Sequence, residues 1–337
     1  MRTVLLALLL VAGNASAQSP ITPQDSGTSV RLRGISAVDA DTAWASGREG
    51  TVLRTIDGGA HWQMFQVPGA EALDFRDVEG VDAETAVVLS IGPGEASRVY
   101  RTDDGGKTWT LALQNHDERA FFDCMAFDGA RGWMLGDPVD GHFQVYATQA
   151  GGQHWTLAEP THGRLALPDE AAFAASGTCI AVTPQGGRMV VTGGGAARVL
   201  LGEPGTAQWA AHDTTMPARV PAAGIFSATP VGADMLLVGG DFEHDTVGSA
   251  ALAQVAADGG VRVSPLPDPN GYRSGAACVG GDTPQCIAVG PNGVDLLRQG
   301  QWQALSATGY DAVDLAGNVG WASGDKGRIA RIALAPR

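Results

Sequence analysis

Three segments of the chain repeat one pattern: Thr55-Ile56-Asp57-Gly58-Gly59-Ala60-His61-Trp62, Thr102-Asp103-Asp104-Gly105-Gly106-Lys107-Thr108-Trp109 and Thr148-Gln149-Ala150-Gly151-Gly152-Gln153-His154-Trp155. Their tryptophans lie 47 and 46 residues apart, a period that belongs to repeat architectures. Each copy follows a β-rich run (Val52-Leu53-Arg54, Val99-Tyr100-Arg101, Val145-Tyr146-Ala147). Gly-Gly, preceded by aspartate in two copies, makes a tight turn and places the tryptophan on the returning strand.

A second marker has the same period. It is strong in Trp44-Ala45-Ser46-Gly47, Trp133-Met134-Leu135-Gly136 and Trp321-Ala322-Ser323-Gly324. It is weaker in Val87-Val88-Leu89-Ser90, Val190-Val191-Thr192-Gly193, Leu236-Leu237-Val238-Gly239 and Ile287-Ala288-Val289-Gly290. Seven copies of a four-strand unit predict an all-β, seven-bladed propeller of antiparallel blades, with strands A to D running outward from the axis. The seventh unit, Ala312–Leu334, ends before its strand D. Residues around Gln24–Val30 are expected to supply it and close the ring, which hides the sheet edges. The expected boundaries are 1–17 for an export signal, 18–29 for the N-terminal segment with the closing strand, and 30–337 for the propeller. The chain's 47 glycines then mark B-strand ends and C–D turns. They have no Gly-X-Y period, and 44% hydrophobic content argues against disorder. A length of 337 residues alone suggests two domains; the repeat merges them into one.

Residues 1–17 carry one basic residue (Arg2), an apolar run Val4–Ala12 and Ala15-Ser16-Ala17, the layout of a cleavable secretory signal. The apolar run is too short to span a bilayer, so a periplasmic or secreted chain without a transmembrane segment is expected after cleavage. Losing Arg2 takes the formal charge from −14 to −15. Such a surface repels phosphate backbones and excludes nucleic-acid binding as a leading function.

The turns resemble the Asp-box, or BNR repeat, S/T-x-D-x-G-x-T-W. Thr102–Trp109 matches it fully, Thr55–Trp62 departs at His61, and Thr148–Trp155 lacks the aspartate. With the 46-residue unit and the export signal, the chain resembles the photosystem II assembly and stability factor-like propellers over about Val30–Leu334. That resemblance implies a seven-bladed fold and a non-catalytic role as an assembly partner that binds a protein or peptide. It also implies that Asp57, Gly59 and Trp62, with Asp104, Gly106 and Trp109, are scaffold residues of the bottom face. Ligands of such rings use the opposite, upper face.

Aligning the units puts Leu32-Arg33-Gly34, Phe75-Arg76-Asp77 and Tyr272-Arg273-Ser274 at the entry to strand A. Arg33, Arg76 and Arg273 are thus expected at the mouth of the channel, while Arg98, Arg198 and Arg328 begin strand C. Clustered guanidiniums on an acidic protein suit a carboxylate or phosphate. In the plainer reading each arginine pairs with a nearby acid (Asp77, Glu95, Asp123 or Asp311) and only holds a loop. The ligand-site candidates are therefore Arg33, Arg76, Asp77, Glu95, Arg98, Asp123, Arg198, Tyr272 and Arg273.

No catalytic residue, metal site or cofactor is expected. The loop Gly239–Asp245 gathers acids without calcium-loop spacing and reads as solvated. Thr192-Gly193-Gly194-Gly195-Ala196 lacks the lysine and helix of a phosphate loop and reads as a B–C turn. The histidines show no paired-ligand spacing. Of the four cysteines, Cys278 and Cys286 fall on adjacent strands and are the first choice for a bridge. Cys124 and Cys179 occupy matching sites of neighbouring units, as a bridge between blades 3 and 4 or as two buried thiols.

The leading expectation is an exported propeller that binds a protein or peptide carrying an anionic group. The alternative is a sialidase-like glycoside hydrolase acting on carbohydrate, with the arginines on a sugar carboxylate, Tyr272 or Tyr310 as nucleophile and Asp77 or Glu95 as acid/base. Against it, the Phe/Tyr-Arg-Ile-Pro segment of such enzymes is replaced by Arg31-Leu32-Arg33-Gly34. An oxidoreductase finds no cofactor fingerprint.

Overall fold

The structure, a computed structural model, describes residues 20–335 except 160, 257 and 282. Its strands form seven antiparallel sheets around a central channel, and each blade contributes four strands. The A strands are Leu32–Ala37, Asp74–Gly80, Phe122–Asp128, Ile180–Val182, Ala223–Val231, Gly275–Val279 and Ala312–Ala316, for blades 1 to 7. No α-helix occurs among the described residues, only three short 3₁₀ turns. No helix there is long and apolar enough to cross a membrane. The expected signal lies outside the described residues.

Blade 7 is completed from the N-terminus. Ile21–Gln24 pairs antiparallel with Ile329–Ala333, so the closing strand sits slightly earlier than the expected Gln24–Val30. Its last residue locks the joint. The Gln24 carboxamide oxygen accepts the indole N–H groups of Trp62 in blade 1 and Trp321 in blade 7, each at 3.1 Å, and its nitrogen donates to the Gly58 carbonyl. Beyond Gln24 the chain turns, and Ser26 Oγ donates to the Gly327 carbonyl at 2.6 Å.

Each blade's strand A faces the channel, and in blades 1, 2, 3 and 6 a side chain of the preceding blade caps a donor on it. Ala37 N–H donates to Asp314, Gly80 to Ser36, Met125 to Asp77 and Ala276 to Ser227, at 2.7–3.1 Å. Side chains thus satisfy edge donors that would otherwise be orphaned. The space is tight at Gly34, where a Cβ would come within 2.5 Å of Ser46 Oγ. The equivalent positions in blades 3 and 4 are Cys124 and Cys179, joined by a disulfide between the blades. Cys278 and Cys286 are bridged across strands A and B of blade 6. Two disulfides fit an oxidising compartment.

The repeated turns explain their own sequence. Asp104 Oδ1 accepts the Thr108 backbone N–H at 2.8 Å and Oδ2 accepts its hydroxyl at 2.7 Å, while Gly106 N–H donates to Thr102 Oγ1. Asp57 holds His61 in the same way, with Nδ1 2.7 Å from Oδ2. Those contacts hold the Asp57 carboxyl at about 2, chiefly through the His61 backbone N–H. The second glycine of each turn has φ of +82°, +88° and +87° (Gly59, Gly106, Gly152), a region that favours glycine.

Blade 4 departs from the reading of its glycines as a simple turn. Gly193–Gly194 forms a short strand that pairs with Glu170–Ala171 and with Gly224 of blade 5. The three-glycine run is needed there: a Cβ would lie 2.1 Å from the Phe173 ring at Gly193, 2.5 Å from the Asp169 carbonyl oxygen at Gly194 and 1.9 Å from the Pro168 carbonyl oxygen at Gly195. This pairing extends the blade 5 sheet to six strands.

Candidate functional site

A single backbone device recurs at the top of strand A. The A–B ladders of blades 1, 2, 3 and 5 each carry a register shift, and the residue left unpaired is Arg33, Arg76, Asp123 and Phe226 respectively. A bulge re-aims one side chain and bends its strand. All four line one cavity of about 560 Å³ at the channel mouth, on the side formed by the D–A and B–C connections. Ser274 and Asp311, at the matching positions of blades 6 and 7, line it as well.

One pole of this cavity is cationic. The Arg31 guanidinium makes a two-pronged contact with Asp311, at 2.7 and 3.0 Å. Arg76 donates through Nε to Asp74 at 3.1 Å and through Nη1 to the Ala174 carbonyl at 2.6 Å. Arg33 is different. It is 7% exposed and makes no hydrogen bond among the described residues; its buried Nε has no partner. Its nearest carboxylate oxygen, on Asp311, is 3.7 Å away. Burial, followed by the neighbouring Arg76 charge, lowers the Arg33 guanidinium to about 10. An incompletely paired guanidinium beside a second one can accept an anion.

Beside Arg76 the lining turns acidic. Asp123 is 1% exposed, and its Oδ2 is buried without a partner. Burial and the nearby Asp137 push the Asp123 carboxyl well up, against a smaller opposing pull from Arg76. Asp137 accepts the Ala172 N–H at 3.0 Å, and burial raises it too. The rest of the wall is largely aromatic. Phe173 stacks on Phe226 with centroids 3.9 Å apart, and Tyr272 meets Phe226 edge-on at 4.7 Å. Phe242 stands at the rim, about half exposed.

Several expected site residues lie elsewhere. Arg273 is not at the mouth: it is 1% exposed and held by Asp295 at 2.6 and 3.0 Å. Gly275 pairs with Val289, as Gly34 does with Ser46, so Ser274 and not Arg273 matches Arg33. The strand-C arginines serve local structure. Arg198 is clamped by the buried Glu170, Arg98 donates to the Glu95 carbonyl and the Tyr100 hydroxyl, and Arg328 donates to the Gly309 carbonyl. Glu95 itself is exposed beside His116, 3.4 Å away.

Asp77 lies deeper, in the channel, where it accepts the Met125 N–H. The hydrolase set is therefore not assembled: Asp77 and Glu95 are outside the mouth cavity, and Tyr310 packs under Arg328. Tyr272 does line the cavity, but burial pushes its phenol up, away from a nucleophilic phenolate. In the Gly239–Asp245 loop, Asp241 accepts backbone N–H groups of Glu243 and His244 and holds the His244 ring. No group of three metal-ligating side chains occurs among the described residues.

Arg31, Asp137 and the phenylalanines were not among the expected site residues. Counting back from the B-strand partner of each strand A would have indicated Phe226, because that register fixes which residue is bulged.

Known proteins carry the same architecture. A structure of YCF48 bound to D1 peptide superposes with a TM-score of 0.66 at 16% identity, covering 95% of this chain and 97% of that one. YCF48 from Cyanidioschyzon merolae superposes with a TM-score of 0.65 at 17% identity, covering 93% and 98%. At such identities the likeness is one of fold. The photosystem II assembly protein Ycf48 of Synechococcus sp. (strain JA-2-3B'a(2-13)) shares 30% identity over 20% of this chain and 32% of its own length. The match thus spans about a third of that relative. The family model of photosynthesis system II assembly factor YCF48 matches residues 14–332, and the chain belongs to that family.

Proposed function

We propose that this chain is an exported, periplasmic or secreted, non-catalytic propeller that binds a peptide segment of a protein partner at its upper face, as an assembly or stability factor. The peptide's carboxylate sits between Arg33 and Arg76. The observation that carries this reading is the buried Arg33 guanidinium, unbonded and beside Arg76, at the wall of an aromatic cavity. The D1 peptide bound by a YCF48 relative supports a peptide as the ligand. The Asp57 and Asp104 turns act as scaffold on the opposite face.

A peptide with a free C-terminal carboxylate and the same peptide as its amide test this assignment. The acid binds the full chain more tightly than the amide, and an Arg33→Gln/Arg76→Gln double variant loses that preference. Equal affinity of the double variant and the unaltered chain for the acid rejects the site.

A further inference from the structure

The mouth cavity holds two buried groups of opposite sign, neither of which has its hydrogen bonds satisfied. Arg33 Nε has no partner, and Asp123 Oδ2, on a side chain 1% exposed, has none either. Both residues are bulge positions whose side chains the backbone turns into the same space. Arg76 stands electrostatically between them but spends its Nε and Nη1 bonds on Asp74 and Ala174. A buried polar atom without a partner costs free energy, and two in a single cavity are a double cost. An anion alone relieves only Arg33. It leaves the buried Asp123 Oδ2 without a partner.

We infer that the cavity recognises a zwitterionic chain end: a terminal carboxylate on Arg33 and Arg76, with the last residue's basic side chain donating to Asp123 and Asp137. This rests on the peptide-carboxylate reading and adds the identity of the terminal residue. The aromatic wall of the cavity suits such a side chain. The stacked Phe173–Phe226 pair and Tyr272 offer apolar faces to the methylene stem of a lysine, whose ammonium then reaches the acids. Asp137 keeps one oxygen on the Ala172 N–H, so its other oxygen and Asp123 form the acceptor set. A lysine ammonium can donate to both acids at once, which an apolar side chain of the same length cannot.

The test uses the full chain and peptides that differ only at the end: a C-terminal lysine acid, the norleucine acid of the same length, and the lysine amide. Free lysine serves as a competitor. Isothermal titration is expected to rank the lysine acid roughly tenfold or more ahead of each other peptide, the least that a charge-assisted bond contributes. In Asp123→Asn, which preserves shape, the preference for lysine over norleucine falls to about twofold or less, while the preference for acid over amide persists.

Norleucine acid binding as well as lysine acid, with both weakened by Arg33→Gln, overturns the basic terminus and leaves the carboxylate site standing. Affinities indifferent to Arg33→Gln overturn both readings, and so does failure of all three peptides to bind. Free lysine binding more tightly than the lysine peptide overturns a chain end as the source of the zwitterion.

Discussion

The side-chain oxygen of Gln24 accepts the indole N–H of Trp321 at 3.1 Å, between residues 297 positions apart in the chain. Blade 7 is thereby held shut by a residue that precedes blade 1, and the same oxygen also takes the Trp62 N–H. Removing residues 18–30 takes away a whole strand and exposes the outer edge of Ile329–Ala333. A sharp drop in melting temperature is expected. Gln24→Ala alone orphans the Trp321 donor on a ring that is fully buried, a cost of about 1–3 kcal/mol. Calorimetric scans of both variants check this, and an unchanged melting curve for the deletion would contradict closure from the N-terminus.

The two disulfides should contribute unequally. Cys124–Cys179 closes a separation of 55 residues and Cys278–Cys286 one of 8. Chain-entropy scaling gives roughly 4 and roughly 2.5 kcal/mol. Serine pairs at 124/179 are therefore expected to lower stability more than serine pairs at 278/286, as measured by urea unfolding. The reverse order would mean that the inter-blade bridge does little to restrain the unfolded chain.

The turn aspartates are expected to affect folding and leave binding alone. Asp57 is held at about 2 and Asp104 is also lowered, both by hydrogen bonds to their own turns. Carboxyls depressed in the folded state stabilise it above the unfolded value, near 4, and that contribution fades as pH falls toward 2. Asp104→Ala should lower the melting temperature at pH 7, and the difference from the unaltered protein should shrink below pH 3. Peptide affinity should not change; a loss of affinity in a variant with normal secondary structure would place a ligand on the lower face.

The channel acids behave in the opposite sense. Burial raises Asp77 to about 7 and Asp314 to about 6. A carboxyl raised in the folded state binds more protons there than when unfolded, so its contribution is fully present below about pH 4 and is lost as pH rises through 6 to 7. Asp77→Asn can still accept the Met125 N–H through its carboxamide oxygen. It should therefore match the unaltered protein near pH 4 and melt higher at pH 8. Equal melting temperatures at both values would show that Asp77 ionises freely in the channel.

The architecture was legible because its markers are local. Trp62, Trp109 and Trp155 recur at one period, Trp44, Trp133 and Trp321 at multiples of it, and the Gly-Gly turns sit between two strands of one hairpin. The site was less legible because it depends on register. In blade 6 an arginine, Arg273, stands one position before the mouth and looks like the counterpart of Arg33, but its strand has paired Gly275 with Val289. In blade 4 Thr192, like Ser90 in blade 2, takes the B-strand end that glycine holds in the other blades, accepting the Arg198 N–H with its hydroxyl. Pairings such as Arg273–Asp295 and Arg198–Glu170 use acids in other loops or strands, which residue type and spacing do not reveal. Phe173 reaches the cavity from a D–A connection with no repeat signal of its own.

Arg33 is the group on which the functional assignment turns, because it is buried, positively charged and unbonded. The most direct measurement is isothermal titration of one C-terminal acid peptide into the unaltered chain and into Arg33→Gln, with the peptide amide as control. Arg33→Gln is expected to weaken binding of the acid by roughly tenfold or more and to leave the amide nearly unchanged, since a charge-assisted contact is lost only where there is a carboxylate. Identical affinity of the two proteins for the acid would contradict it.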